Sequence, residues 1–405
     1  MQQQSRSDDT CSAAIIGGAV SGLAAATNIH ALPQFSDVVV FERQQYDDKR
    51  VNCGEAINDT TLVPLEKTPE NGFVNDIDGF ELRVYDGQDH DPHEQPVGVS
   101  RLQCEPGYIC ERNVVEKRWA DKLAAEGVEF RTGASISPSK YDQILETYDY
   151  IIDASGQPSL TLKAKQETTN YTGDMVALNA TVSGDFSSYT ERPRIFFEGY
   201  VGYSWSFPKS ETQANVGMGW AGDERPENYY EAFKTTAQRN GFSVPERDQT
   251  NIYTIPRGPS LSPEQTYYPE NNVFLVGDAA GIANRYQGEG ICQGIRSANL
   301  LGELIATEQE HRYPEKLYNM MKSEYRLAHL MRGAWVEHED SALLAAVAES
   351  IEGLSIEDIT RRPSQVLSRL LRRPITAAKL ISDVGMLTRV YESYTDSWEF
   401  GANEA

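Results

Sequence analysis

Three groups of residues in this 405-residue chain have types and spacing that could do chemistry. The first is Gly17-Gly18-Ala19-Val20-Ser21-Gly22, a small-residue turn between the apolar run Ala13–Ile16 and an Ala-rich helical pattern. A strand, a tight turn and a helix N-terminus together offer free backbone N–H groups and a positive dipole end to a pyrophosphate. The spacing is that of Gly-x-Gly-x-x-Gly, with Ala19 at the middle glycine. Glu42 closes the next apolar run twenty residues past Gly22, the distance expected of a carboxylate that binds a ribose diol. The second group is Cys53-Gly54, a small nucleophile beside flexible backbone in a polar stretch; the plainer reading is a buried loop thiol. The third is Tyr203-Ser204-Trp205-Ser206-Phe207-Pro208, whose alternate aromatics share one face of a strand. Such a face is either a wall for an apolar ligand or ordinary core packing.

The elements that must position these groups follow from periodicity. Leu23–Ile29 reads as the helix behind the glycine turn, and Ser36–Phe41 as a buried strand. Alternation through 73–110, with turn signals at Asp86-Gly87, Asp91-Pro92 and Pro106-Gly107, predicts antiparallel strands. A helix is expected over Asn113–Glu126 with Asn113 as its N-cap, and Arg112 just before it could reach a cofactor. Tyr148–Asp153 runs as a strand into Ala154-Ser155-Gly156, and a second sheet is expected over 174–219. An amphipathic helix over 226–240 precedes a third strand, 272–276, that ends in Gly277-Asp278. Gly288-Glu289-Gly290 opens a long helix, Ile291–Ala306. From 313 onward the pattern is helical, with breaks expected at Gly333, Gly353, Pro363 and Pro374.

Charge narrows the function. With 37 basic and 60 acidic residues the net charge is −23, so nucleic-acid binding is excluded as a partner class and anionic headgroups are disfavoured. The acid is dispersed along the chain, and Arg outnumbers Lys. That composition resembles the proteins of salt-loving microbes, in which salt screens the self-repulsion. No apolar run reaches a membrane span, and residues 1–12 lack a signal-peptide core, so a cytoplasmic location is expected, with at most peripheral contact at the inner face of the membrane. Five cysteines in no metal-ligand spacing give no metal site. Cys104 and Cys110 could pair across a Pro106-Gly107 turn, although a reducing compartment argues against it.

Taken in order, Gly17–Gly22 with Glu42, then Asp153–Gly156, then Gly277-Asp278 with Gly288–Gly290, resemble the three FAD contacts of the p-hydroxybenzoate-hydroxylase-like flavoproteins. Within that group, Tyr203-Ser204-Trp205-Ser206-Phe207-Pro208 followed by Gly217-Met218-Gly219 resembles the Tyr-x-Trp-x-Phe-Pro…Gly-x-Gly signature of the geranylgeranyl reductase family, and Cys53-Gly54 falls where its members carry a similar pair. Three departures stand out: Ser155-Gly156 replaces the usual Asp-Gly, Arg285-Tyr286 replaces the usual proline of the last motif, and Tyr200 replaces the proline before the aromatic strand.

The resemblance implies a fold of the α/β (α+β) class: a Rossmann-like FAD-binding domain in three parts (1–72, 109–165, 271–310), an antiparallel-sheet substrate domain (73–108, 166–270) and a helical C-terminal region (311–405). It implies FAD held by Gly17, Ala19, Val20, Ser21, Gly22, Glu42, Arg43, Arg112, Ser155, Gly156, Gly277, Asp278, Gly288, Glu289, Gly290 and Ile291. A polyprenyl lipid would lie against Tyr203, Trp205, Phe207, Pro208, Gly217 and Gly219, with Cys53, Gly54, Tyr203 and Trp205 at the reacting centre. The implied reaction is hydrogenation of isolated double bonds in geranylgeranyl chains of archaeal ether lipids, with electrons from a ferredoxin or NAD(P)H. The proton donor is open among Cys53, Glu55, Tyr203 and a bound water. Two rival readings share the fold: an FAD-dependent aromatic hydroxylase or halogenase-like monooxygenase, and a non-catalytic prenyl-binding protein.

Overall fold

The structure is a computed structural model that describes residues 10–87, 94–168, 175–221, 225–255, 258–337, 341–382 and 384–395. Two sheets organise it. The smaller has six strands in the order Tyr267–Tyr268, Val273–Leu275, Tyr150–Asp153, Cys11–Ile16, Phe35–Phe41, Glu129–Arg131. All its pairings are parallel except the edge pair Tyr267–Tyr268 with Val273–Leu275. Parallel strands covered by helices are buried on both faces, and Ala13 to Ile16 and Val38 to Phe41 are correspondingly continuous in apolar character and buried.

The helices behind this sheet explain its glycines. The helix Val20–His30 packs against Ile291–Ala306, in which Ile291, Ile295, Ala298, Leu301 and Ile305 recur at helical spacing and are buried. Each such Ile or Leu contributes roughly 1.5–3 kcal/mol on burial. The close approach depends on small residues. A Cβ at Gly302 would lie 2.5 Å from the Asn28 Cβ, and a Cβ at Gly22 would lie 1.8 Å from the Gly17 carbonyl oxygen. Gly302→Leu would therefore wedge the two helices apart.

The larger sheet has eight strands: Asn251–Ile255, Met175–Ser183, Gln213–Ala221, Gly202–Pro208, Arg194–Phe197, Phe73–Val84, Gly98–Cys110 and Ala56–Ile57. The stretches 73–110 and 174–219 thus join one sheet, through the parallel pairing of Phe73–Val84 with Arg194–Phe197. One face packs on the helix Tyr229–Arg239 through Phe233. The other packs on C-terminal helices through Leu327, Ala345, Ile351, Ile356 and Val366.

Several local expectations are corrected. Pro106-Gly107 is not a turn: it lies inside the strand Gly98–Cys110, where the register with Phe73–Val84 shifts at a bulge. Without that turn the two thiols point apart, Cys104 toward the Ile77 carbonyl and Cys110 toward the Tyr108 carbonyl, and both are free. Asp91-Pro92 lies outside the described residues. The helix expected from Asn113 starts at Arg112, with Glu111 in the cap position. Gly333 does not break a helix. It sits within Tyr313–Glu337, because one interior glycine costs only ~1 kcal/mol against the burial of Leu317, Met321, Tyr325 and Leu327 on that helix. Pro363 and Pro374 each open a helix, where a missing N–H is harmless.

Candidate active site

The glycine turn opens a cleft across the C-terminal ends of the parallel strands. Gly17, Ala19, Val20 and Ser21 line it, with Glu42, Arg43, Arg112, Ser155, Gly156, Asp278, Gly288, Gly290 and Ile291. Residues from three distant parts of the chain therefore meet in one groove. Gly17 has φ 108°, and a Cβ there would lie 2.3 Å from the Ala154 carbonyl oxygen. Gly277 is equally constrained: a Cβ would come within 2.3 Å of the Ser21 hydroxyl, so first turn and third strand can touch only through glycine.

Charge is organised along the floor. Glu42 accepts the Gly18 N–H at 2.9 Å and pairs with Lys49 at 2.9 Å. Lys49 also reaches Glu116 at 3.0 Å, and Glu116 pairs with Arg112 at 2.8 Å. Burial alone would lower the Arg112 pKa. Glu116, and after it the neighbouring Cys53, hold it above the ordinary arginine range. Burial likewise raises the Glu116 carboxyl, but Arg112 and Lys49 outweigh it and bring it below the ordinary value. Glu42, Lys49, Glu116, Arg112 and Cys53 thus form a connected series from the glycine turn to the Cys53–Gly54 loop. Lys49 and Glu116 gave no motif signal; the Arg112–Glu116 spacing of four was the available clue.

Asp278 opens into the cleft beside Gly290, where a Cβ would be 3.0 Å from its Oδ1. The surrounding protein raises its carboxyl above the usual range, with Arg112 opposing. Asp153 does not reach the cleft. It is fully buried and holds the turn, accepting from Ser155 N and Oγ at 3.0 and 2.6 Å and from Thr161 N and Oγ1 at 2.8 and 2.6 Å. The cleft fits a dinucleotide flavin on these observations: backbone cradles that a Cβ would fill, carboxylates at the ribose and ribitol positions, and the N-terminus of Ile291–Ala306 at the far end.

A second, largely apolar cavity adjoins the cleft. The two share Cys53, Gly54, Tyr253, Ile255, Gly288, Gly290 and Ile291. Tyr203, Trp205 and Phe207 line one wall, with ring centroids 5.9 and 6.0 Å apart along the strand. Gly219 joins the lining. Gly217 and Pro208 do not: the Trp205 indole covers Gly217, whose Cβ would meet it at 2.3 Å, and the Pro208 carbonyl accepts from Asn75 at 2.7 Å. Gly217 is the cross-strand partner of Trp205, so its role is to let that ring lie flat. The opposite wall is helical, through Leu327, Met331, Ile356 and Ile359, with Ile351 from the turn after Ser341–Ser350. No periodic signal assigned those residues to a cavity.

The Cys53–Gly54 loop is clamped where the two cavities join. Asn179 and Asn215 both donate to the Cys53 carbonyl, at 2.7 and 2.9 Å. Asn215 also donates to Glu55 at 3.1 Å and accepts from the Trp205 indole at 3.1 Å. Glu55 has φ 64° and is fixed by Lys209 at 2.6 Å and by the Arg112 N–H at 3.2 Å. A Cβ on Gly54 would lie 3.1 Å from the Phe207 ring.

Glu289 lines the apolar cavity, not the cleft. Burial, and then the neighbouring Glu324 carboxylate, push its pKa up to about 7. Gln293 hydrogen-bonds to Glu289 and donates to Glu324 at 2.8 Å. Tyr203 faces it: its phenol donates to the Gln287 carbonyl, and burial followed by Glu289 raises its pKa above the ordinary tyrosine value.

No family model matches the chain. The digeranylgeranylglycerophospholipid reductase of Methanothrix thermoacetophila is 25% identical over 315 residues, covering 73% of this chain and 78% of the relative. Digeranylgeranylglycerophospholipid reductase 2 of Methanothermobacter thermautotrophicus is 25% identical over 410 residues, covering 91% and 98%. Among solved structures, a geranylgeranyl bacteriochlorophyll reductase-like protein of Thermoplasma acidophilum superposes with a TM-score of 0.67 at 18% identity, over 92% of this chain and 99% of that one. The flavin-dependent halogenase CmlS gives 0.58 at 14% identity, over 93% and 79%. Over most of its length the chain is thus similar to proteins named digeranylgeranylglycerophospholipid reductase, and it has the fold of the FAD flavoproteins.

Proposed function

We propose that this protein is an FAD-dependent reductase of prenyl chains, acting on the isolated double bonds of geranylgeranyl ether lipids. The observation that carries the reading is the join: a dinucleotide cleft and an apolar, aromatic-walled cavity share the Cys53–Gly54 loop and the Gly288–Gly290 turn. Gly17, Glu42, Arg112 and Asp278 would hold FAD, which when bound and reduced supplies a hydride to one alkene carbon. An isolated alkene is a poor hydride acceptor, so the protein must exclude water, fix the chain and deliver a proton. Trp205 and Phe207 fix the chain from the sheet side, and Ile356 and Ile359 from the helical side. The Cys53–Gly54 loop, locked by Asn179, Asn215 and Glu55, sets where the chain meets the cleft.

Glu289 holds the proton. It is the carboxyl on the cavity wall whose pKa sits near neutrality, because burial and then Glu324 raise it while Arg296 and Gln293 oppose them. Cys53 remains the reacting-centre neighbour that the sequence suggested. Its contact with Arg112 ties the loop to the charged floor.

Anaerobic mixing of the reduced holoprotein with a digeranylgeranyl lipid tests the reading. Recovery of the oxidised flavin spectrum with that lipid, and none with an aromatic acid, is expected. Reoxidation only with oxygen and an aromatic substrate would favour a monooxygenase.

A further inference from the structure

The −23 net charge is an average that one segment reverses. Between residues 361 and 395 there are seven basic residues and two acidic ones, Asp383 and Glu392, a local charge of +5. The rest of the chain carries the difference, −28.

The same segment holds the exposed apolar surface. Of eleven large apolar side chains exposed among the described residues, seven lie between 371 and 394. On the helix Val384–Thr395 they follow helical spacing. Val384, Leu387, Tyr391 and Tyr394 are 77, 51, 68 and 68% exposed and fall on one stripe. Met386 and Ser393, seven residues apart, are the buried side of that helix. A surface helix ordinarily buries its apolar stripe. Here the helix is pinned through polar groups, His329 to Glu392 at 3.2 Å and Arg326 to the Ser393 carbonyl at 2.8 Å, and the stripe faces outward. Leu371 and Ile375, at 57 and 77% exposure, extend the apolar surface onto the preceding turn and helix.

We infer that the helices of residues 363–395 dock the protein on an anionic lipid bilayer. Exposed apolar side chains in a basic segment are the composition that enters a headgroup layer; Arg362 and Arg373 are paired with Asp358 and Glu349, and the exposed Arg372 adds attraction to anionic lipid. The acidic remainder does not prevent this, because charges more than a Debye length (about 8 Å at physiological ionic strength) from the surface are largely screened. The location fits the cavity. The helix Val384–Thr395 packs on Tyr313–Glu337, whose Leu327 and Met331 line the cavity, and Ile356 and Ile359 come from the helix just before the basic segment. The inference rests on the prenyl-lipid reading for its choice of partner over a second copy of this chain.

The test is flotation of the FAD-loaded full chain with phosphatidylglycerol or phosphatidylcholine vesicles, in the lowest KCl at which the holoprotein stays folded. Flotation with phosphatidylglycerol only is expected. Arg372→Gln should weaken it about fivefold. The triple variant Val384→Ser, Leu387→Ser, Tyr391→Ser should weaken it at least about tenfold. All three are exposed, so flavin content and turnover of detergent-dispersed lipid should be unchanged in that variant. Wild-type protein that floats with neither vesicle, or a triple variant that floats like wild type, would overturn the inference. So would a triple variant that instead converts a dimer to a monomer in sedimentation. Wild-type flotation without any lipid turnover would fault the reductase reading and leave the docking surface standing.

Discussion

Replacing Glu289 by Gln keeps the shape and a hydrogen bond to the Gln293 amide but removes the titrating proton. Two effects of opposite sign follow. The folded pKa of about 7 lies some 2.5 units above the ordinary glutamate value of 4.5. Its stabilising protonated form is complete below pH 4.5 and is lost as pH rises through the folded value, so above pH 7 ionised Glu289 works against the fold. At 1.36 kcal/mol per unit the penalty is at most about 3 kcal/mol, and solvent entering the cavity lowers it. Glu289→Gln should therefore melt higher than wild type at pH 8 and equally at pH 4. Turnover should move the other way: a lost general acid typically costs 10²–10⁴-fold. Wild-type turnover should itself fall about tenfold from pH 6 to pH 8, following the protonated fraction of a group with pKa near 7. The assay is single-turnover oxidation of the reduced holoprotein by a digeranylgeranyl lipid across pH, with flavin content measured on each sample. A variant that turns over like wild type with the same pH profile refutes the assignment. Lost turnover in a variant that has also lost flavin would mean that Glu289 serves the cofactor instead.

Three further outcomes are expected. Gly22→Ala places a methyl 1.8 Å from the Gly17 carbonyl oxygen, so the purified variant should have lost most of its 450 nm flavin absorbance while its far-ultraviolet dichroism stays near wild type. Trp205→Phe keeps an aromatic face over Gly217 but loses ring area and the indole bond to Asn215. Its flavin should still be reoxidised by a small artificial acceptor while lipid hydrogenation slows or shifts among double bonds, and unchanged hydrogenation per flavin would remove the wall role. The −23 charge predicts a melting temperature that rises from low to molar KCl, and a flat or falling curve would contradict the salt-loving character read from composition.

What was legible in the sequence was whatever depends on short-range spacing. Gly17, Ala19, Val20, Ser21, Glu42, Asp278 and the aromatics Tyr203, Trp205 and Phe207 lie within a few residues of the elements that aim them, and all line the cleft or the cavity, while Gly22 and Gly277 sit behind them and let turn, strand and helix pack closely. Ile291–Ala306 was legible to the residue because its apolar period is unbroken after Gly290. What escaped depends on residues far apart meeting. Lys49 and Glu116 carry no local signal, and only the fold brings them, buried, against Glu42 and Arg112. Gly217 reads as cavity lining until the Trp205 ring is seen to cover it. Pro106-Gly107 carries a turn signature, but the long pairing of Phe73–Val84 with Gly98–Cys110 absorbs it as a bulge. The helical wall of the cavity was illegible because Leu327, Ile356 and Ile359 look like any helix core.

The central claim is that this cavity presents a prenyl chain for hydrogenation. Mass spectrometry of a digeranylgeranyl lipid after anaerobic incubation with the FAD-loaded protein and a chemical reductant tests it most directly. The account predicts products heavier by two hydrogens for each bond reduced, dependent on flavin and weakened by Trp205→Phe. A lipid of unchanged mass beside a fully reduced, folded holoprotein would contradict it.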